Sequence, residues 1–207
     1  DMALSTRKIT RHCSERIARR AFELAMKRGK KVTAIHKANS FHMTDGLFLE
    51  CVRDVAKDFP EVTLDDLLVD ASTAHLVRSP ERFDVLVATN FYGDIISDLA
   101  SELSGSLGLA GSMMASDTHC CAQAQHGSAP DIAGQDKANP VSMILSVGML
   151  LQWMGEHHNK EALIKAGLEM EKAVDVVLQD PKQRTPDLGG SSGTKAFGEA
   201  VAKAILG

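Results

Sequence analysis

From Ser14 to Ala88 the chain alternates amphipathic helical stretches with short β-branched runs, and that alternation restricts it to the α/β class. Ser14 is followed by Ile17, Ala18, Ala21, Phe22 and Ala25 at helical spacing, which predicts a helix capped by Ser14 and ended at Gly29. Lys31–His36 reads as a strand that delivers Lys37 at its end. Asp45 is expected to cap a second helix whose apolar side carries Leu47, Phe48, Cys51, Val52, Val55 and Phe59, stopped by Pro60. Leu67–Ala71 and Phe83–Ala88 read as buried strands separated by a helical turn, and a helix from about Gly93 to Leu103 follows.

Beyond the glycine-spaced stretch Ser104–Ser112 the texture changes. His119–Gln125 reads as a strand and His126–Asn139 as a loop. Asn139–Glu156 reads as a mostly apolar helix with Pro140 in its first turn. Asn159–Gln179 is amphipathic, residues 180–194 form a Pro/Gly/Ser-rich loop, and Lys195–Leu206 is a closing helix. At 207 residues the chain can bury a real core, in one large or two small domains. A net charge of −4 with no basic run argues against a nucleic-acid surface. The most apolar segment, Val141–Met154, is interrupted by Ser142, Ser146 and Gln152 and falls short of the roughly 18 apolar residues a membrane span needs. Cys13, Cys51, Cys120 and Cys121 lack zinc-type spacing and read as reduced thiols, which suits an intracellular compartment.

Two stretches carry chemistry. Asn90–Asp98 (NFYGDIISD) sets Asp94 and Asp98 four apart near a helix start, so both carboxylates share one face. That suits two hard oxygen ligands on one Mg²⁺ or Mn²⁺. The same pair also fits a solvated face, with Asp94 complementing the helix dipole. Asp70, at an expected strand end, is placed where a third carboxylate could converge. His126–Pro140 (HGSAPDIAGQDKANP) is a small-residue loop that lets backbone approach a bulky ligand, and its acid, Asp131, can accept hydrogen bonds from ribose hydroxyls. A metal pair together with a nucleotide loop points to a redox enzyme acting on a chelating acid.

Four stretches in order, Ile35–Asn39 (IHKAN), Val69–Ala71 (VDA), YGDIISD within the first stretch and HGSAPDIAG within the second, resemble the β-decarboxylating dehydrogenases. That family comprises isocitrate, 3-isopropylmalate and homoisocitrate dehydrogenases. The resemblance runs from about Thr10 to the C-terminus. It implies a two-domain α/β fold lacking the N-terminal part of the large domain. Residues 1–103 would form the smaller, dimer-forming domain, and residues 104–207 the C-terminal half of the larger one. It further implies that Lys37 takes part in proton transfer and, with Asp70, reaches the partner subunit's site. Asp94 and Asp98 would serve within their own subunit, so that Asp70, Asp94 and Asp98 hold the metal and Lys37, Asp70 and Asp94 are the catalytic set. An ammonium beside a metal has its proton affinity lowered by like charge, which suits such a lysine to exchange protons. Asn39 would orient substrate beside Lys37.

The resemblance assigns NAD to His126, Gly127, Ser128, Ala129, Asp131, Ile132 and Asn139. Relatives that prefer NADP carry Lys-Tyr where this chain has Asp131-Ile132, and a carboxylate there repels a 2′-phosphate. The arginines that clamp substrate carboxylates and an acid tyrosine lie ahead of Asp1 in relatives. Arg7, Arg11, Arg16, Arg19 and Arg20 read mostly as a helix-bound basic face instead. The chain is therefore expected to be part of a longer dehydrogenase or to be completed by another chain. Asp45–Ala56 and Arg184–Gly190 (RTPDLGG) lean toward NAD-dependent isocitrate dehydrogenase, with 3-isopropylmalate or homoisocitrate as the alternative substrate. A homodimer with shared sites and a cytoplasmic location are expected, the mitochondrial matrix being the other candidate. A non-catalytic regulatory or assembly subunit is the competing class, and survival of Lys37, Asp70, Asp94 and Asp98 weighs against it.

Overall fold

The computed structural model describes all 207 residues, which divide into two compact units, Asp1–Ala100 and Ser101–Gly207. In the first unit β1 (Lys31–His36) lies between β2 (Thr63–Leu68) and β3 (Val85–Ala88), parallel to both. Helices α1 (Arg11–Met26) and α2 (Thr44–Ala56) cover one face, where Phe22, Val52 and Phe48 pack on Val32, Ala34, Val85 and Val87. Helix α3 (Val69–Arg78) and the start of α4 (Asn90–Ser104) cover the other, where Leu76, Tyr92 and Ile96 close over Ile35. Helices on both faces explain why Val32–His36 is buried without alternation, Thr33 and His36 included.

Several boundaries differ from expectation. Helix α1 starts at Arg11 behind Thr10, whose hydroxyl accepts from the Cys13 N–H, and Ser14 instead donates to the Thr10 carbonyl. The second strand runs Thr63–Leu68 rather than Leu67–Ala71, and Val69-Asp70-Ala71 opens α3. The edge strand was masked by Asp65 and Asp66, whose side chains reach Arg82, and Arg53 and His36, respectively. Helix α4 begins three residues before Gly93. Asp45 does not cap α2: Met43 holds that position without a side-chain cap, and the Asp45 side chain turns inward instead.

The second unit pairs the antiparallel hairpin β4 (Gly111–Ala115) and β5 (Cys120–Ala124) with α5 (Val141–His158), α6 (Glu161–Gln179) and α7 (Thr194–Leu206). Strand β4 lies where the sequence shows only glycine spacing. The serines that interrupt the apolar α5 are buried and hold the hairpin. Ser146 accepts from the Ser112 N–H at 2.9 Å and lies 2.7 Å from the Gln123 carbonyl, while Ser142 accepts from the Gln125 N–H at 3.2 Å. Val141, Val174, Val177, Phe197 and Val201 form the core of this unit. No helix is long and apolar enough to cross a membrane, and all four cysteines are free, Cys51 being buried.

Candidate active site

The C-terminal ends of the three parallel strands converge on the expected chemistry. In open α/β sheets that edge is where ligands bind, because loops there can face a crevice while the strands stay packed. Lys37 follows the last residue of β1, Asp70 lies two residues past β2, and α4 with Asp94 and Asp98 begins two residues past β3. Lys37 therefore sits at the end of the central strand.

The Lys37 ammonium donates to Asp70 Oδ1 at 2.7 Å. That bond, helped by backbone N–H groups at the start of α3, holds the Asp70 carboxyl below the usual carboxylate range. The Lys37 main chain is gripped on both sides. Its N–H donates to Asp45 Oδ2 at 2.7 Å, and the next N–H, of Ala38, donates to His36 Nδ1 at 3.1 Å. Its carbonyl accepts from Ser40 and Phe41, each at 2.9 Å, closing a tight turn. Asn39 lies exposed in that turn. Nε2 of the buried His36 faces Asp66 at 3.1 Å, so both ring nitrogens are engaged.

Asp94 and Asp98 are exposed on one face of α4, and Asp94 Oδ2 accepts from the Asn90 amide at 3.2 Å. Two exposed, acceptor-only carboxylates one turn apart suit a hard divalent cation. No group of three or more acidic, histidine or cysteine side chains converges within the chain, and Asp70 is spent on Lys37 rather than joined to Asp94 and Asp98. Completing a six-oxygen shell calls for water, substrate or another subunit.

Sequence reasoning missed Arg7 and underread Asp45. Arg7 lies ahead of α1, not on its basic face. Its guanidinium pairs with Asp45 Oδ1 at 2.7 Å, donates to the Tyr92 hydroxyl at 3.1 Å and to Thr89 Oγ1, and stacks 4.8 Å from the Tyr92 ring centre. Only Asp45 offered a signal, as an acid just inside a helix start; nothing local marks Arg7. Of the other arginines, Arg11, Arg19 and Arg20 do lie on α1, where they pair with surface acids.

In the second unit, five of the seven residues expected to bind cofactor, His126, Gly127, Ala129, Ile132 and Asn139, line a cavity of about 290 Å³ together with Gly108 and others. Ala129 takes a left-handed conformation (φ 41°) that turns the chain into a short 3-10 helix, Pro130–Ile132. At Gly127 a side chain would meet nothing within 4 Å, so the backbone there is open to a bulky ligand, as a nucleotide cradle requires. Asp131 is exposed and, like Ser128, lies outside the cavity wall. Asn139 is buried and internally engaged: Oδ1 accepts from the Val141 N–H at the start of α5, and Nδ2 donates to Asp187 Oδ2, each at 3.0 Å. Asp187 also accepts from Ser106 and Thr185. Burial alone would push its pKa up, but these three hydrogen bonds outweigh it and leave Asp187 below the ordinary carboxylate range.

Comparison with known proteins agrees with the fold and the family resemblance. The family model described as isocitrate/isopropylmalate dehydrogenase matches residues 1–201. An isocitrate/homoisocitrate dehydrogenase of Thermus thermophilus is 49% identical over 206 residues, covering 99% of this chain and 59% of the relative. A mitochondrial NAD isocitrate dehydrogenase catalytic subunit of Arabidopsis thaliana is 45% identical across 93% of this chain and 50% of its own length. The crystal structure of isocitrate dehydrogenase from Methylococcus capsulatus superposes with a TM-score of 0.90 at 43% identity, over 99% of this chain and 59% of that one. The chain thus spans about half to three-fifths of the length of these relatives. It belongs to the isocitrate/isopropylmalate dehydrogenase family.

Proposed function

We propose that the protein carrying this chain is an NAD-dependent, metal-assisted dehydrogenase that oxidatively decarboxylates a 3-carboxylated 2-hydroxy acid, with isocitrate as the first substrate to test. The observation that carries this reading is the gathering of Lys37, Asp70 and the α4 carboxylates at one edge of a parallel sheet. The Arabidopsis relative is named as an NAD isocitrate dehydrogenase, the Thermus one for both isocitrate and homoisocitrate, and one from Archaeoglobus fulgidus, 46% identical, for 3-isopropylmalate.

A divalent ion bound here would supply polarisation of the substrate oxygens, and a bound nicotinamide would supply the hydride acceptor. Asp94 and Asp98 would hold that ion. Lys37, pinned at its main chain and paired at its ammonium with Asp70, would take part in proton transfer with the substrate: one proton leaves the hydroxyl, and one is returned to carbon after CO₂ departs. Asp131 would accept from the ribose hydroxyls, and the open backbone at Gly127 would admit the nucleotide. Asn39, in the turn beside Lys37, would contact substrate.

A dimer with shared sites fits two features. Asp70 is 65% exposed at its side chain while pairing Lys37, and α4 presents Phe91 and Ile95, 65% and 49% exposed, one turn apart beside Asp94. The test is NADH formation by the native protein with Mg²⁺ and each of the three acids. One acid should support turnover, and Lys37→Met should abolish it while NAD binding persists. Turnover surviving Lys37→Met would refute the assigned role.

A further inference from the structure

Asp45 has no side-chain exposure, yet it does not serve its own helix. An acid in the first turn of a helix normally faces water and its own helix's N–H groups. This one reaches back eight residues to the Lys37 N–H and is neutralised by Arg7. Burying a carboxylate is costly, and a well-packed apolar side chain in its place is often no less stable, so stability alone is a weak reason for the pair. What the pair supplies is a fixed geometry. From Lys37 the contacts run without a gap through Asp45 and Arg7 to Thr89, next in sequence to Asn90, whose amide donates to Asp94. Arg7 also engages the hydroxyl and ring of Tyr92 in the first turn of α4 and lies 5.9 Å from the centre of the Phe41 ring, in the turn after Lys37. One guanidinium thus joins the lysine turn to the helix that carries the carboxylates. A planar fork can satisfy several acceptors in set directions, whereas an ammonium cannot.

We propose that Asp45 and Arg7 are positioning residues for the reaction, coupling within one chain the placement of Lys37 to that of the α4 carboxylates, which in a dimer with shared sites serve two neighbouring sites. This rests on the dehydrogenase reading for its chemistry but not for its geometry. The test compares Arg7→Met, Arg7→Lys and the double variant Arg7→Met/Asp45→Asn with the native protein. Amide hydrogen exchange in residues 36–41 and 89–92 is read alongside kcat, KM and NAD affinity. Arg7→Met should speed exchange of the Lys37 and Ala38 amides by about tenfold. It should lower kcat on the order of 100-fold with substrate KM and NAD affinity nearly unchanged, because a misplacement of about 1 Å penalises the reacting geometry far more than binding. Arg7→Lys, which keeps the charge and so the fold, should fall between. The double variant should recover part of the loss over Arg7→Met, since the asparagine oxygen still accepts from Lys37 and no buried charge is left unpaired.

Unchanged exchange at 36–41 in Arg7→Met would overturn the coupling. So would faster exchange with kcat intact, which would make the pair structural only. If the native protein oxidises none of the acids, the dehydrogenase reading fails separately, and the exchange result decides the coupling by itself.

Discussion

Helices α5 and α6 are joined by only Asn159 and Lys160, and they approach so closely that glycine is required at the contact. A Cβ built on Gly167 would lie 2.4 Å from the Gly148 carbonyl oxygen and 2.7 Å from Gln152 Cγ. An ordinary carbon–oxygen contact is about 3.3 Å, so Gly167→Ala forces the helices apart by roughly 1 Å. The obstacle is main chain, which cannot rotate away as a side chain could. Overpacking of this kind costs about 1–3 kcal/mol, and a clash against backbone belongs at the upper end. Alanine returns about 1 kcal/mol through its better helix propensity, leaving a net loss of about 2 kcal/mol. Gly198, inside α7, has nothing within 4 Å of its would-be Cβ, so Gly198→Ala should gain about 1 kcal/mol. The two variants carry the same chemical change with opposite signs, separated by about 3 kcal/mol. Urea unfolding followed by circular dichroism should place their midpoints about 1–3 M apart at ordinary slopes. If Gly167→Ala proves as stable as Gly198→Ala, the helices are not in backbone contact there and the reasoning fails.

Asp187 has a depressed folded-state pKa, so its stabilisation is fully present above the unfolded value of about 3.9 and is lost as pH falls through the lower folded value. Asp187 is exposed, so solvent screens its contacts. Asp187→Asn should cost at most about 1 kcal/mol near neutral pH, and the gap to the native protein should close below about pH 4 in acid titrations of unfolding; a gap independent of pH would contradict the assignment. Asp131→Lys should raise NADP affinity by about tenfold and lower NAD affinity, since reversing one exposed charge near a phosphate is worth on the order of 1–2 kcal/mol after screening. Calorimetric titration with both nucleotides reads this directly, and unchanged affinities would remove Asp131 from the cofactor site.

Elements with strong periodicity are legible in the sequence. Strand β1 matched at both ends, because a run of apolar and β-branched residues bounded by Gly29 and the turn after Lys37 admits little else. The apolar α5 and the amphipathic α6 were equally plain, as were the acids one turn apart on α4. Strand β2 was not, because an edge strand spends polar residues on ion pairs: Asp66 to Arg53 and His36, Asp65 to Arg82. The serines of α5 could be seen as interruptions, but not as the anchors of a hairpin.

Sequence by itself therefore determined the class of fold, the helices and the central strand, and which residue types were candidates for a divalent ion and a nucleotide, since these follow from local spacing and side-chain chemistry. Only the tertiary structure decided that Lys37 pairs with Asp70, thirty-three residues away, that Asn139 turns inward to Asp187, and that Arg7 reaches across to Asp45 and the start of α4. Those contacts join segments distant along the chain. Their partners are chosen by sheet order and by the burial of charge, neither of which leaves a periodic mark in the sequence.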